Sequence, residues 1–394
     1  MESWLIEVQK RTKGVPVACG RSKKFRKINF DDLVFIPAQL KRRPVDYFKE
    51  SISSKTIIGK TSQKPIEIET PIIFGAMSFG ALSKEAKIAL ARASRIAGTI
   101  ANTGEGGMLK EEREEAQFLI VQYSTGRFGI TEDILKKADA IEIKIGQGAK
   151  PGAGGYLPKE KVTAEIAKVR GVKQGIDIHS PPYHPDINSL EDLKRKVEWL
   201  KDVSGGKPII IKLGAGNVKE DVKIASQANP DIIAVDGMEG GTGASPSVLL
   251  DDVGLPTMMA LIEARKTLDE IGAKQELWIG GGLYKGADFA KALALGADAV
   301  FLGTALLGAM GCIGCNQCFT GKCPKGIATQ DENLRKRFNI DDAAQNIANF
   351  VKSCTEEMKI IAAACGRRSI FEFGREDLRA LSPTISEITG VKFM

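Results

Sequence analysis

Glu276-Leu277-Trp278-Ile279-Gly280-Gly281-Gly282 and, after a helical segment, Ala299-Val300-Phe301-Leu302-Gly303-Thr304 are the stretches whose reading decides the fold. Each is a short apolar run that stops at a glycine turn. A strand buried on both faces reads this way when it hands the chain to a helix. Upstream the same rhythm recurs at residues 71–76, 99–102, 118–123, 140–145, 175–179, 208–213 and 231–236. Helical patterns such as 83–97 and 189–203 lie between them, the first opening with Ser83 as an N-cap. Strands alternating with helices over about 230 residues predict right-handed βα units on a parallel sheet. Eight such units close a TIM barrel. Nine runs are present, so one is spare, and 118–123 is assigned to an insertion after the second strand. A doubly wound open sheet is the alternative.

The chain has 394 residues, 42 of them glycine, with 43% hydrophobic residues, enough for a large α/β core. Cys19, Cys354 and Cys365 are scattered and odd in number, which speaks for a reducing compartment and against a disulfide framework. The start, Met1-Glu2-Ser3-Trp4, has no apolar leader, and no apolar run is long enough to span a bilayer. A soluble, cytoplasmic protein is expected, with no membrane partner. The net charge of +7 gathers most densely at Arg21, Lys23, Lys24, Arg26 and Lys27, read as a solvated arm. With 6% aromatic residues and no stacking residues among the basic ones, nucleic acid is not an expected partner.

Cys312, Cys315, Cys318 and Cys323 fall within twelve residues, spaced by two, two and four, and Pro324 follows. Structural zinc sites usually separate their two cysteine pairs by roughly 12 to 20 residues. A tight run ending in Cys-Pro is the habit of iron-sulfur proteins. The expected organisation is therefore an N-terminal arm or cap over 1–70 and a barrel over 71–308. An iron-sulfur loop over 309–330 and a C-terminal helical extension over 331–394 follow. In that extension Ile347, Phe350, Val351, Met358 and Ile361 form a stripe suited to packing on the barrel, with Cys354 and Cys365 as ordinary thiols.

Barrel chemistry sits on loops at the C-terminal strand ends. Here these loops read Gly104-Glu105-Gly106-Gly107, Gly146 to Gly152, Gly240 to Pro246, Gly280 to Gly282 and Gly303-Thr304. Glycine lets backbone N–H groups approach an anion, and the last two strands are where barrels commonly hold phosphate. A phosphate-bearing cofactor is expected. Lys144 and Lys212 end apolar strands, and a lysine there needs an anion nearby. Gln147, Lys150 and Arg170 add donors suited to a substrate with two carboxylates, while Arg170 reads equally as a helix C-terminal cation. His179 and His184, the only histidines, flank a proline-rich loop and are read as structural at least as readily as functional.

The stretches Gly75-Ala76-Met77-Ser78-Phe79-Gly80, Asn102 to Gly107, Gly126-Arg127-Phe128-Gly129, Ile143 to Gly152, Ser180-Pro181-Pro182, Gly240 to Pro246 and Met310 to Pro324 together resemble the synthase part of glutamate synthase. They run in that family's order across about residues 70 to 335. The resemblance implies an FMN-binding TIM barrel beside an iron-sulfur cluster, making L-glutamate from 2-oxoglutarate and ammonia through 2-iminoglutarate. Carried over residue by residue, it places cluster ligands at Cys312, Cys318 and Cys323, and 2-oxoglutarate contacts at Lys144, Gln147 and Arg170 with Thr103 and Lys150 nearby. FMN falls on Ala76, Met77, Ser78, Lys212, Gly241, Thr242, Gly281, Gly282, Gly303 and Thr304. Glu105 is a candidate proton relay.

There are departures from the family pattern. Cys315 is a fourth thiol, which allows a 4Fe-4S cluster in place of 3Fe-4S. Met108-Leu109 stands where the family has an acidic pair, Ala153 and Tyr156 where it has an acid and a glutamine, and Gly280 where it has an aspartate. Neither an amidotransferase nor a pyridine-nucleotide fingerprint is evident, so a hetero-oligomer is expected. Its other members would be a separate glutaminase subunit and a ferredoxin-like or NAD(P)H-oxidising flavoprotein donor. The rivals are an N-methylglutamate synthase subunit, an FMN barrel isomerase for an isoprenoid diphosphate, and a non-catalytic electron-transfer subunit.

Overall fold

Eight parallel strands form one sheet: β1 Ile72–Phe74, β2 Ile100–Asn102, β3 Phe118–Tyr123, β4 Ala140–Lys144, β5 Ile209–Gly214, β6 Ile232–Asp236, β7 Glu276–Gly280 and β8 Ala299–Leu302. Their order is β1-β8-β7-β6-β5-β4-β3-β2, so the two ends of the sheet are consecutive in the chain. At that seam the Thr99 hydroxyl donates to the Ile72 carbonyl at 2.6 Å, and the sheet is a nearly closed barrel. This computed structural model describes Thr12, Ala18–Cys19, residues 28–243 and residues 245–394. The first residues Met1-Glu2-Ser3-Trp4 and the basic stretch from Arg21 to Lys27 lie outside the described residues.

The assignment of the spare run has to be corrected. Residues 118–123 are the barrel strand β3, with Ile100 opposite Phe118 and Ile120 opposite Ala140. The run at 175–179 stands outside the barrel: only Ile178–His179 is a strand, paired antiparallel with Tyr156–Leu157. The physical reason is in the side chains. Leu119, Ile120 and Val121 are consecutive and apolar, as a strand enclosed on both faces requires, and all three are fully buried. Asp177 and His179 alternate with isoleucines, which suits a hairpin with one face in water.

The barrel interior is an apolar column that includes Ile73, Ile100, Ile120, Ile210, Ile232, Trp278 and Phe301. A hairpin, Thr56–Ile58 with Ile66–Ile68, adds Ile58, Ile66 and Ile68 to the same column. Its turn is tied to strand starts: the Lys60 amide donates to Glu276 at 2.8 Å and the Thr61 hydroxyl to Asp231 at 2.9 Å. The hairpin therefore plugs the floor and leaves the C-terminal mouth for chemistry.

Helix α1, Lys84–Ala97, starts where the Ser83 hydroxyl accepts from the Ala86 amide at 3.2 Å and ends at Gly98 in the left-handed conformation. The long helix Ile340–Ala364 lies along α1 and buries Ile347, Val351 and Met358. Cys354 and Cys365 are buried thiols, pushed up to about 12 and about 11 by burial, so they are inert core groups. Leu33–Phe35 pairs with Leu378–Ala380, joining the two ends of the described chain beside the barrel.

Candidate functional site

The chain leaves β1 through Gly75, whose amide donates to the Leu302 carbonyl at 2.7 Å. A Cβ at Gly75 would stand 2.9 Å from that oxygen, so the residue must be glycine. Ala76, Met77 and Ser78 follow and rest against the next strand exit, where a Cβ on Gly104 would meet the Met77 and Ser78 backbone at 2.6 Å. A lysine binds the two exits together. Lys87 reaches from α1 to donate to the carbonyls of Met77 (2.6 Å), Asn102 (3.0 Å) and Thr103 (3.0 Å), and it forms an ion pair with Glu112 at 2.8 Å.

Above this staple sits the charged cluster of the mouth. Lys144, the last residue of β4, meets Glu105 at 2.8 Å. Burial pushes the Glu105 carboxyl up, but the charge and hydrogen bond of Lys144, a bond from Ser180 and the charge of Arg170 outweigh it and hold it below the usual range. The second oxygen of Glu105, Oε1, is buried with no hydrogen-bond partner among the described residues. Burial lowers Lys150 to about 8, and the like charge of Lys144 adds to the shift. Arg170 is buried in the last turn of the helix Ala164–Arg170 and donates to the Phe79 carbonyl through Nη2 at 2.7 Å. Burial lowers its guanidinium to about 10. Its position in the last turn fits a dipole partner, yet its side chain is spent on the β1 exit and on the charged mouth.

The other expected groups are placed as follows. Gln147 opens the β4 loop, which Gly148 seats so closely on β6 that a Cβ would meet the Gly237 carbonyl at 1.9 Å. The Thr103 hydroxyl accepts from the Gln122 amide and donates to the Gly104 carbonyl, both at 3.1 Å, so it braces the wall. His184 is neutral: Arg127 donates to its Nδ1 at 2.6 Å, which leaves Nε2 to donate to the Lys144 carbonyl at 2.7 Å. Burial lowers it to about 4, so it holds the end of β4 and carries no positive charge near neutrality. His179 instead stacks on Tyr156 in the outer hairpin, at 4.7 Å.

On the opposite wall Lys212 stands 3.7 Å from Asp236 and 4.9 Å over the Phe301 ring. Gly241 and Thr242 follow β6 in a half-buried loop. Gly281 and Gly282 have positive φ, and side chains there would strike Thr257 at 2.4 Å and Glu239 at 2.6 Å. Gly303 differs, since a Cβ there would meet nothing within 4 Å, and it faces open space with exposed Thr304 beside it. A buried cation, an open glycine turn and the cations Lys144, Lys150 and Arg170 thus share one mouth, and this donor set suits a phosphate-bearing cofactor with an anionic substrate.

Beside the mouth lies the cysteine loop. Cys312, Cys315 and Cys318 are partly buried and Cys323 is buried. Among the described residues no three Cys, His, Asp or Glu groups are gathered as a single metal ion requires. The four thiols nevertheless lie within electrostatic reach of one another: burial raises Cys318, and the charges of Cys323, Cys312 and Cys315 raise it further. Four soft donors in one short loop fit an iron-sulfur core.

Several groups of this site were not expected from sequence: Lys87 with Glu112, Lys161 beneath the cysteine loop, and Asn102, Gln122 and Glu142. Asn102 and Gln122 donate to Glu142 at 3.2 and 2.6 Å. Lys87 alone left a readable signal, because it stands among Ala86, Leu90 and Ala91 on the core-facing stripe of α1.

The model of the conserved region in glutamate synthase matches residues 14–368. This chain belongs to the glutamate synthase family. The glutamate synthase large subunit-like protein of Rhizobium meliloti is 40% identical over 374 residues, covering 90% of this chain and 85% of that protein. The archaeal glutamate synthase [NADPH] of Methanocaldococcus jannaschii is 39% identical over 399 residues, 93% of this chain and 78% of that protein. Against the glutamate synthase [NADPH] large chain of Bacillus subtilis, the 39% identical match takes in 79% of this chain but 21% of that one. Membership makes the chain an oxidoreductase of the glutamate synthase type. Among solved structures, a flavocytochrome b2 variant superposes with a TM-score of 0.60 at 17% identity over 95% of this chain and 83% of that one. An (S)-mandelate dehydrogenase chimera gives 0.58 at 17% identity over 89% of both. These likenesses are of fold, and they agree with the TIM barrel. No described helix is long and apolar enough to cross a membrane.

Proposed function

We propose that the chain is the synthase subunit of a divided glutamate synthase, converting 2-oxoglutarate and ammonia through 2-iminoglutarate to L-glutamate. The observation that carries this reading is the charged mouth, where Lys144, Lys150, Arg170 and Glu105 face one another with a carboxylate oxygen left without a partner. FMN bound across Ala76–Ser78, Lys212, Gly241, Thr242, Gly281, Gly282, Gly303 and Thr304 would supply the hydride, and a 3Fe-4S or 4Fe-4S cluster at Cys312, Cys315, Cys318 and Cys323 its electrons. The residues of the chain then have separate tasks. Lys144 and Gln147 hold the substrate carboxylates, and Arg170 adds its charge while fixing the β1 exit. Glu105, kept ionised, anchors the Lys144 ammonium at 2.8 Å. Lys150, at about 8, exchanges a proton near neutrality more readily than an ordinary lysine and suits the imine nitrogen. A separate glutaminase subunit supplies ammonia, and a ferredoxin-like or NAD(P)H-oxidising flavoprotein supplies electrons.

The test is anaerobic. Flavin, iron and sulfide content is measured, the protein is reduced with dithionite, and 2-oxoglutarate with ammonium is added. Flavin reoxidation with stoichiometric glutamate is expected. Reoxidation only with methylamine would replace ammonia as the amine, and none with either would make the chain an electron carrier without substrate chemistry.

A further inference from the structure

Lys161 is buried, 5% exposed, beneath the cysteine loop. Its stem passes Gly321 of that loop, where a Cβ would stand 3.5 Å from its Cγ. Its ammonium donates to two carbonyls at 3.2 Å, Cys318 of the loop and Ala81 of the β1 exit. The same exit is gripped twice more: Arg170 takes Phe79, and the Gln330 amide donates to Gly80 and Leu82 at 3.2 and 3.1 Å. One four-residue segment, Ser78 to Ala81, thus runs from the flavin side to the residue that Lys161 fastens to the cysteines. Among the described residues no carboxylate forms an ion pair with Lys161, whereas buried Lys87 has Glu112. A buried ammonium without a carboxylate is costly, and a negatively charged group held by the thiols of the loop would compensate it.

We propose that Lys161 sets the reduction potential of the iron-sulfur cluster held by Cys312, Cys315, Cys318 and Cys323, and is the positioning residue that fastens the cluster loop to the β1 exit. This rests on the reading of the cysteine loop as a cluster site. A cluster that takes up one electron becomes more negative, and a fixed cation in a low-dielectric setting favours that form. Lys161 therefore raises the potential.

The experiment is an EPR-monitored redox titration of the anaerobically purified chain, wild type against K161M, K161Q and K161R. K161M and K161Q are expected to titrate at lower potential. At the wild-type midpoint their ratio of oxidised to reduced cluster rises roughly tenfold, which is about 59 mV for one electron. K161R keeps the wild-type midpoint. If K161M does not retain its cluster, K161Q decides, because its amide still donates to carbonyls. A cluster signal in K161Q at the wild-type midpoint would overturn the proposal and leave the cluster reading intact. Absence of iron, sulfide and EPR signal from the wild type would overturn both.

Discussion

Two lysine-glutamate pairs, Lys87–Glu112 and Lys144–Glu105, have the same 2.8 Å separation and opposite characters. In the first the side chains are 0% and 1% exposed, and in the second 12% and 10%. Burial raises the Glu112 carboxyl even beside its lysine, with no hydrogen-bond partner recorded for Oε2 among the described residues. Glu105 is lowered, because Lys144, Ser180 and Arg170 together outweigh its burial. Lys87 has its capacity filled by three carbonyls of the protein, while among the described residues the Lys144 ammonium bonds Glu105 alone and a second cation, Lys150, stands alongside. Distance alone does not distinguish a structural pair from a working one. The number of partners already supplied by the protein does.

Breaking the enclosed pair should have the largest effect. K87M strands a carboxylate and three carbonyls, and is expected to cost about 3–5 kcal/mol in urea unfolding. K87M/E112L removes the uncompensated charge and should recover part of that, but not all, because the carbonyls stay unserved. Full recovery would reduce Lys87 to an ion-pair member and remove its role as a staple. K144M should do the reverse: glutamate formation falls about 100-fold, while unfolding shifts by about 1 kcal/mol. Equal losses of both would erase the distinction between the pairs.

His184 sharpens the comparison through pH, since it holds the Lys144 carbonyl. Its folded pKa of about 4 lies below the ordinary 6.5, so the unfolded chain binds the proton first as pH falls. Stability is retained above 6.5 and lost between there and 4, by about 2 kcal/mol at pH 5 for this one group. Comparing wild type with H184N across pH 7 and pH 5 isolates it, and the variant should lack this increment. The smallest effect belongs to Lys55–Glu67 on the floor hairpin, also 2.8 Å apart but 60% and 58% exposed. K55A should leave the urea midpoint where wild type has it, and a clear loss would mean that exposure is a poor guide here.

Much of this was legible in the chain. Eight of the nine runs are barrel strands, the glycine turns and strand-end lysines mark the mouth, and the cysteine spacing marks the loop beside it. These signals are local: side-chain period, turn chemistry and spacing follow from neighbours in sequence. The error over residues 118–123 was one of partners, because an apolar run does not state which strand it pairs with. His184 could be placed near the site but not given its tautomer, which Arg127 and the Lys144 carbonyl fix.

The sequence by itself determined the alternating β and α elements, the glycine exits, the four-thiol loop and the residue types available for anionic substrates. Only the tertiary structure decided which carboxylate meets which lysine, that residues 56–68 plug the floor, and that Lys161 lies under Cys318. The reason is physical: the cost of burying a charge depends on what stands a few ångströms away, and those neighbours come from distant parts of the chain, 157 positions off for Lys161 and Cys318.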